Sequence, residues 1–429
     1  MKFDTIEMQL IDFIKTNPAF LPLYRKLKSR QNAGKFKISS INRFQPLRTG
    51  SDEMRLNLVI PTLRATRVFA GISSALTFLQ KLALPGVKCR IIVISNEAYD
   101  ENTTFAVPGF VHERNADRSL FFANEGTLIE TGRNDLFIYT SWKTAYAFQP
   151  LLEWQKKTYR LTGRKAVYLI QDYEPGFFAW STEYSLAEST YSSDPDSIAA
   201  VFNSEELYTY FRRHGYEFAY ELFFRPSLNV KLKEILLKYM ERSRRPGGDV
   251  PPRKKRILIY GRPSEHRNAF EIIRYSLEEW SRTYPGAEEW DIVSLGEGFE
   301  DIRLQNNTIR SRGKVSLETY ARYMLTSYAG ISLMISPHPS YPPLEMSTFG
   351  VRTITNQFEN KDLAPFNPNI ISLRSPSPAK IVESLTKICD EYGSHSADFD
   401  PDESYLDENN LENTVDELRT YLMEMMQDA

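Results

Sequence analysis

Three loops carry side chains whose types and spacing suit a phosphorylated ligand. Gly261-Arg262-Pro263-Ser264-Glu265-His266-Arg267 follows an apolar run, RILIY, and precedes a helical pattern. Two guanidinium groups therefore stand where backbone N–H groups and the positive end of a helix attract an anion, and an arginine fork binds phosphate oxygens in a bidentate way. Lys314, in RSRGKVS after another strand of the same half, can converge on that point, and three cations would then stand in for a metal at a diphosphate. The third loop runs Pro337-His338-Pro339-Ser340-Tyr341-Pro342-Pro343-Leu344-Glu345. Its proline-rich turn enters a short helix and puts the Glu345 carboxylate where it can accept hydrogen bonds from sugar hydroxyls. An ordinary solvated loop and a helix-dipole carboxylate without a ligand are the competing readings. Asp172 and Glu174, in QDYEP at another strand end, fit a reacting centre or a hydrogen-bonded turn equally well.

Other chemistries lack their residues. Neither PTLRATRVFAG nor GRPSEHRN carries the G-x-G-x-x-G of a dinucleotide site, and no P-loop is present. Tyr139 and Lys143 have a short-chain reductase spacing but straddle a strand end. Asp194-Pro195-Asp196, Asp398-Phe399-Asp400 and Asp400-Pro401-Asp402 match Asp-x-Asp in polar, turn-like surroundings, which predicts no metal site. The five histidines have no zinc spacing, no G-x-S-x-G precedes a histidine, and two distant cysteines, Cys89 and Cys389, exclude a disulfide framework.

These loops need strands to hold them. Short apolar runs at Arg55 to Ile60, Cys89 to Ser95, Phe105 to Val111, Asp135 to Thr140, Lys165 to Gln171 and Ser197 to Asn203 alternate with helical patterns. That rhythm predicts a mostly parallel sheet covered on both faces. It restarts at Arg256 and continues through strands at Trp290 to Leu295, Thr308 to Ser311, Ile331 to Ser336 and Val351 to Thr355, with helices between. The expected organisation is a basic helical segment over 1–50, a first α/β domain over 51–242, a proline- and glycine-rich linker over 243–255, a second α/β domain over 256–400, and an acidic tail over 401–429 whose helix returns to the first domain. Two such Rossmann-like domains facing each other place their strand-end loops on a shared cleft.

The 429 residues hold 53 bases and 55 acids, 41% hydrophobic and 13% aromatic, enough to fold and too balanced for a nucleic-acid binder. The ends differ in charge. Phe13 to Ser51 has nine bases and no acid, and Asp390 to Ala429 has thirteen acids against Arg419. The basic segment, beside an amphipathic pattern at Ile6, Leu10, Phe13 and Ile14, suits an anionic membrane surface, although such charges are more often simply solvated. No membrane-spanning run or signal peptide is evident, and a cytoplasmic protein is expected, with peripheral contact at the inner face of the plasma membrane as the less favoured option.

The stretches KRILIYGRPSEHR, RGKVSLETY and SYPPLEMSTFGV resemble the nucleotide-binding half of GT-B glycosyltransferases of family 4. Arg262 matches the family's arginine, Arg267 stands at its lysine, and Glu345 matches the second glutamate of its E-x7-E pair; Pro337, beside His338, occupies the first. QDYEPGFFAWSTEYSLAESTY, Gln171 to Tyr191, looks like the bacterial rhamnosyltransferases that build S-layer rhamnans. The resemblance implies a GT-B fold and metal-independent, retaining transfer of rhamnose from dTDP-rhamnose to a lipid-linked glycan, with no cofactor. It implies that Gly71, Arg262, Arg267, Lys314, His338, Ser340, Tyr341 and Glu345 bind the donor. Asp172 and Glu174 would join Arg262 and Lys314 at the reacting centre, with Trp142 and Tyr173 on the acceptor. The alternative is a non-catalytic sugar-binding GT-B module of an assembly complex.

Overall fold

The computed structural model describes residues 41–65, 70–83, 86–95, 99–113, 116–245, 252–393, 405 and 409–427. The N-terminal helical pattern and the Asp-x-Asp matches at 398–402 lie outside them. The first half comprises β1 (Gln45–Arg48), β2 (Arg55–Ile60), α1 (Ala70–Leu82), β3 (Lys88–Val93), β4 (Arg118–Phe122), β5 (Leu128–Thr131), β6 (Asp135–Tyr139), α2 (Trp142–Tyr159), β7 (Ala166–Ile170), α3 (Thr182–Ser192), β8 (Ile198–Phe202), α4 (Glu205–Arg213) and β9 (Tyr220–Phe223). Its main sheet is wholly parallel in the order β4-β3-β2-β6-β7-β8-β9, and β1 pairs with β5 in a small second sheet. Alternate residues feed opposite cores: Leu58, Ile91 and Ile138 face one layer, and Val59, Ile92 and Phe137 the other.

The second half repeats this plan with α5 (Val230–Ser243), β10 (Lys254–Gly261), α6 (Phe270–Thr283), β11 (Asp291–Gly296), β12 (Ile302–Arg303), β13 (Thr308–Gly313), α7 (Leu317–Thr326), β14 (Ser327–Ile331), α8 (Tyr341–Thr348), β15 (Arg352–Asn356), β16 (Ile370–Leu373) and α9 (Pro378–Asp390). The order is β12-β13-β11-β10-β14-β15-β16, with only β12 antiparallel. In both sheets the winding reverses beside the first strand, between β2 and β6 and between β10 and β14. Such a switch point opens a crevice at the carboxyl ends of the strands.

Several boundaries differ from the sequence reading. Phe105 to Val111 is not a strand, because Pro108 and Gly109, at φ 79°, break it; the edge strand is Arg118–Phe122. The edge strands are short and mostly half-buried, β9 as YELF throughout and β16 as IISL with only Ile370 buried, which is why the sequence did not announce them. β14 ends at Ile331, so residues 332–340 all belong to the loop. Its sequence, SYAGI, hides a strand because Gly330 makes room for a close approach: a Cβ there would lie 3.0 Å from Val351 and 3.1 Å from Met346. Helix α5 packs Leu232, Leu236 and Met240 with Leu258, Val293 and Phe349, so it shares the second half's core although the sequence boundary put it in the first. Arg253, read as linker, donates to the carbonyls of Met324 at 3.3 Å, Ser327 at 2.5 Å and Phe349 at 2.6 Å.

A last helix, α10 (Asn409–Gln427), lies against α1 and β9. Val415, Leu418 and Leu422 join the core of Leu56, Phe78 and Leu82, each such side chain contributing about 2 kcal/mol on burial. Tyr421 stacks on Tyr220 at 3.8 Å, and Lys81 pairs with Glu412 at 2.6 Å. No helix among the described residues is long and apolar enough to cross a membrane.

Candidate functional site

The parallel sheets bring the chemical loops to their carboxyl edges. Arg262 and Arg267 follow β10, Lys314 follows β13, and residues 332–340 follow β14. With β11 between β10 and β13, Arg262 and Lys314 stand roughly 10 Å apart at the backbone. Gly261 and Gly296 allow this edge to close up: a Cβ on Gly261 would meet Ser294 Oγ at 2.6 Å, and one on Gly296 would meet the Gly261 carbonyl at 2.8 Å.

Glu265 lies between the two arginines, 3.2 Å from Arg262 and 3.5 Å from Arg267. Arg267 also approaches Asp172 of the first half, Nε to Oδ2 at 3.6 Å. Its backbone carbonyl accepts the Ile335 N–H at 2.7 Å, which ties the β10 and β14 loops together. The Ser336 hydroxyl donates to Asp172 Oδ1 and accepts the His338 N–H at 3.1 Å. One cluster therefore unites Asp172, Arg267, Ser336 and His338.

His338 is 6% exposed, and its Nδ1 accepts the Ser340 N–H at 3.0 Å. A backbone donor at Nδ1 leaves the ring proton on Nε2, and no group among the described residues accepts it there. Burial lowers the imidazole to about 4, against a weaker raising effect of Asp172, so the ring is neutral. Ser340 holds its N–H in place at φ 68°, a conformation that side chains other than glycine rarely adopt.

Glu174 accepts the N–H of Trp142, the first residue of α2. Burial pushes its carboxyl to about 8, against Trp142, Arg267 and Lys143, and Asp172 adds to the rise. Glu345 is pushed to about 7 by burial, with Tyr320 acting in the opposite sense. Tyr341 comes close to Ser74 and Asn203 of the first half. A Cβ on Gly71, in the first turn of α1, would crowd Gln171 Oε1 at 3.3 Å, a buried oxygen without a partner among the described residues.

The two expected acceptor residues differ in exposure, Trp142 being buried and Tyr173 half-buried. Trp142 is 3% exposed. The Tyr173 hydroxyl is engaged by Glu188 at 3.1 Å and Tyr216 at 3.1 Å, and its ring packs on Tyr210 and Phe211. Asp194 and Asp196 precede β8, at the opposite edge of the sheet, and Asp194 lies 3.8 Å from Lys156.

Sequence reasoning missed the residues that fix the third loop. Asn356 accepts the Met334 N–H at 2.7 Å and donates to its carbonyl at 2.9 Å, and Lys361 Nζ donates to the same carbonyl at 2.6 Å. Asn268 donates to the Leu333 carbonyl at 3.1 Å. Lys361 is 1% exposed, and burial lowers its ammonium to about 7. Its place after a strand in a polar turn gave no sign of that burial.

Two parallel sheets of this order, with cationic and acidic loops on their carboxyl edges, define the GT-B glycosyltransferase fold. Three solved structures share it at low sequence identity. The trehalose-6-phosphate synthase OtsA superposes with TM-score 0.54 and 10% identity, over 86% of this chain and 99% of its own. Sucrose-phosphate synthase from Thermosynechococcus elongatus gives 0.50 and 11%, over 87% and 97%. Anabaena Alr3699/HepE, solved with UDP and glucose, gives 0.50 and 10%, over 87% and 98%.

The chain belongs to the WsaF family: the WsaF N-terminal domain matches residues 55–205 and the WsaF C-terminal domain residues 255–386. The O-antigen biosynthesis protein RfbC of Myxococcus xanthus is 30% identical over 260 residues, 58% of this chain and 18% of that much longer protein.

Proposed function

We propose that the chain transfers L-rhamnose from dTDP-β-L-rhamnose to a rhamnose-containing cell-surface glycan, with retention of configuration and without a metal. The observation that carries this reading is the convergence of Arg262, Arg267 and Lys314 on one sheet edge, with Arg267 3.6 Å from Asp172 across the crevice. Membership of the WsaF family and the O-antigen relative support a glycan-building role.

In this reading Arg262, Arg267 and Lys314 hold the diphosphate, which the N-terminal turn of α1 at Gly71 also faces. Glu345 accepts hydrogen bonds from the nucleoside sugar. His338, Ser340 and Tyr341 line the pyrophosphate and rhamnose side, and His338 offers a neutral Nε2–H. The bond from C1 to the β-phosphate oxygen breaks with its electron pair going to dTDP. The acceptor hydroxyl oxygen bonds to C1 on the same face, and its proton passes to the departing phosphate oxygen. No enzymic nucleophile is needed, and the protein contributes charge stabilisation and orientation. Asp172 and Glu174 border this centre. Glu174 keeps its proton up to about pH 8 and can donate a hydrogen bond. The basic segment over 1–50 would bring the enzyme to a lipid-linked acceptor at the cytoplasmic leaflet.

Calorimetric titration of dTDP-rhamnose, dTDP, UDP-glucose and GDP-mannose, each with EDTA and with magnesium, tests the donor site. Metal-independent preference for the dTDP ligands is expected. Absence of binding, or a requirement for metal, overturns the reading. A second reading, a sugar-binding module without turnover, is favoured only by Pro337 at the place of the family's first glutamate. Donor binding without transfer to any rhamnan acceptor would select it.

A further inference from the structure

We propose that Trp180 is the outer platform of the acceptor site, its indole face stacking on a sugar ring of a neutral oligosaccharide. The inference rests on the glycan-transfer reading above. Trp180 is 94% exposed, whereas Trp142, Trp280 and Trp290 are buried. Its loop is nevertheless built. On one side the Phe178 N–H donates to the Pro175 carbonyl at 3.1 Å, and the Phe178 ring meets Trp142 edge-on at 5.8 Å. On the other, Ser181 caps α3 by accepting the Tyr184 N–H at 3.3 Å. Structured backbone thus holds a large apolar side chain out in water, where it forgoes the stabilisation that burial brings to such a ring.

The loop is continuous with the site. It begins at Asp172 and Glu174, and Phe177, three residues before Trp180, lies under the Arg267 guanidinium at 3.9 Å. Its flanking charges are of both signs: Asp172 faces Arg267 at the start of the loop, and Lys143 and Glu183 lie further along. Glu183 is in the first turn of α3, and Lys143, near Glu183 and Glu174, lies 5.8 Å over the Trp142 ring. A rim of mixed charge lacks the cluster of bases that an anionic lipid surface attracts, and it can hydrogen-bond hydroxyls. An aromatic face with such a rim fits a pyranose, whose C–H face is apolar and whose edge carries hydroxyls. Trp142, buried beside the Phe178 ring, braces the loop from beneath.

The test uses the full chain, a synthetic rhamnose trisaccharide and the variants Trp180→Phe and Trp180→Ala. Iodide should quench the emission of Trp180 in the free protein, and the trisaccharide should protect it; Trp180→Phe should lose both effects. In turnover, Trp180→Ala should raise the KM for the trisaccharide about tenfold with kcat and dTDP affinity held. Unchanged quenching at saturating trisaccharide, together with an unchanged KM, overturns the proposal. Loss of co-sedimentation with phosphatidylglycerol vesicles in Trp180→Ala, at constant KM, would assign the residue to a membrane surface instead. Failure of the wild type to bind dTDP would defeat the transfer reading, while the quenching experiment would still decide the platform.

Discussion

Arg267 rests its guanidinium 3.9 Å above the centre of the Phe177 ring, so a cation of the second half lies on an aromatic of the first. The stack fixes the plane of the guanidinium, and Asp172 and Glu265 fix its direction. Arg267→Lys keeps the charge but loses the plane and the fork. Turnover should fall at least about tenfold, or about 1.4 kcal/mol, while the thermal midpoint moves little. Initial rates and scanning calorimetry on one preparation check this, and wild-type turnover would remove Arg267 from the donor site.

Glu345 predicts a pH signature. Its ordinary value of 4.5 is raised to about 7 in the folded chain. Between those values the folded protein keeps a proton that the unfolded chain has lost, so stability falls as pH rises through this window. Glu345→Gln should flatten that dependence. If the ionised carboxylate accepts hydrogen bonds from the nucleoside sugar, dTDP affinity of the wild type should rise as pH passes about 7, and Glu345→Gln should bind about tenfold more weakly at pH 8. Titrations at pH 6 and pH 8 would expose a carboxylate that is merely structural, because its replacement would leave affinity unchanged at both.

The sequence made the two parallel sheets legible because buried strands such as DLFIY and AVYLI are unbroken apolar runs. The loop of Arg262 could be placed because it follows the apolar run RILIY, whereas Lys314 follows the polar β13, TIRSRG, and Glu345 lies within α8 after the concealed strand SYAGI. Ser336, Asn356 and Lys361 were not legible, since their importance lies in which carbonyl or carboxylate they meet across strands 20 or more residues apart. The same limit applies to α5, whose apolar stripe says that it packs but not on which half. Trp142 shows the converse: a residue type suited to sugars can serve as core when neighbours enclose it.

His338 separates its two nitrogens by role. Nδ1 is taken by the Ser340 N–H, and Nε2 has no hydrogen-bond partner among the described residues. His338→Asn can still offer an acceptor near Ser340, whereas His338→Gln places a side-chain N–H nearer Nε2. We expect Asn to preserve the thermal midpoint and lose turnover, and Gln to retain more turnover than Asn. The imidazole itself is lowered from 6.5 to about 4, so the unfolded chain takes up a proton that the folded one refuses. Stability should be lost as pH falls from 6.5 toward 4, and both variants should weaken that loss. An equal turnover in Asn and Gln would show that Nε2 meets no substrate.

Lys361 and Asn356 share the Met334 carbonyl, so removing one is not equivalent to removing the other. Lys361→Met takes away a buried ammonium while Asn356 still donates to that carbonyl at 2.9 Å. Burial lowers the ammonium from 10.5 to about 7, so the unfolded chain holds the extra proton between those values and wild-type stability should rise with pH there. Lys361→Met should abolish that rise and leave the midpoint at pH 7 within a few degrees. Asn356→Ala, by contrast, leaves the Met334 N–H without its acceptor and strips donors from the Met334 and Gln357 carbonyls. It should cost about 2–3 kcal/mol and lower turnover through the loop that carries His338. Thermal denaturation of both variants from pH 6 to pH 10, with rates at pH 7.5, distinguishes them. A larger loss of stability in Lys361→Met than in Asn356→Ala would mean that the ammonium, and not the amide, anchors the loop.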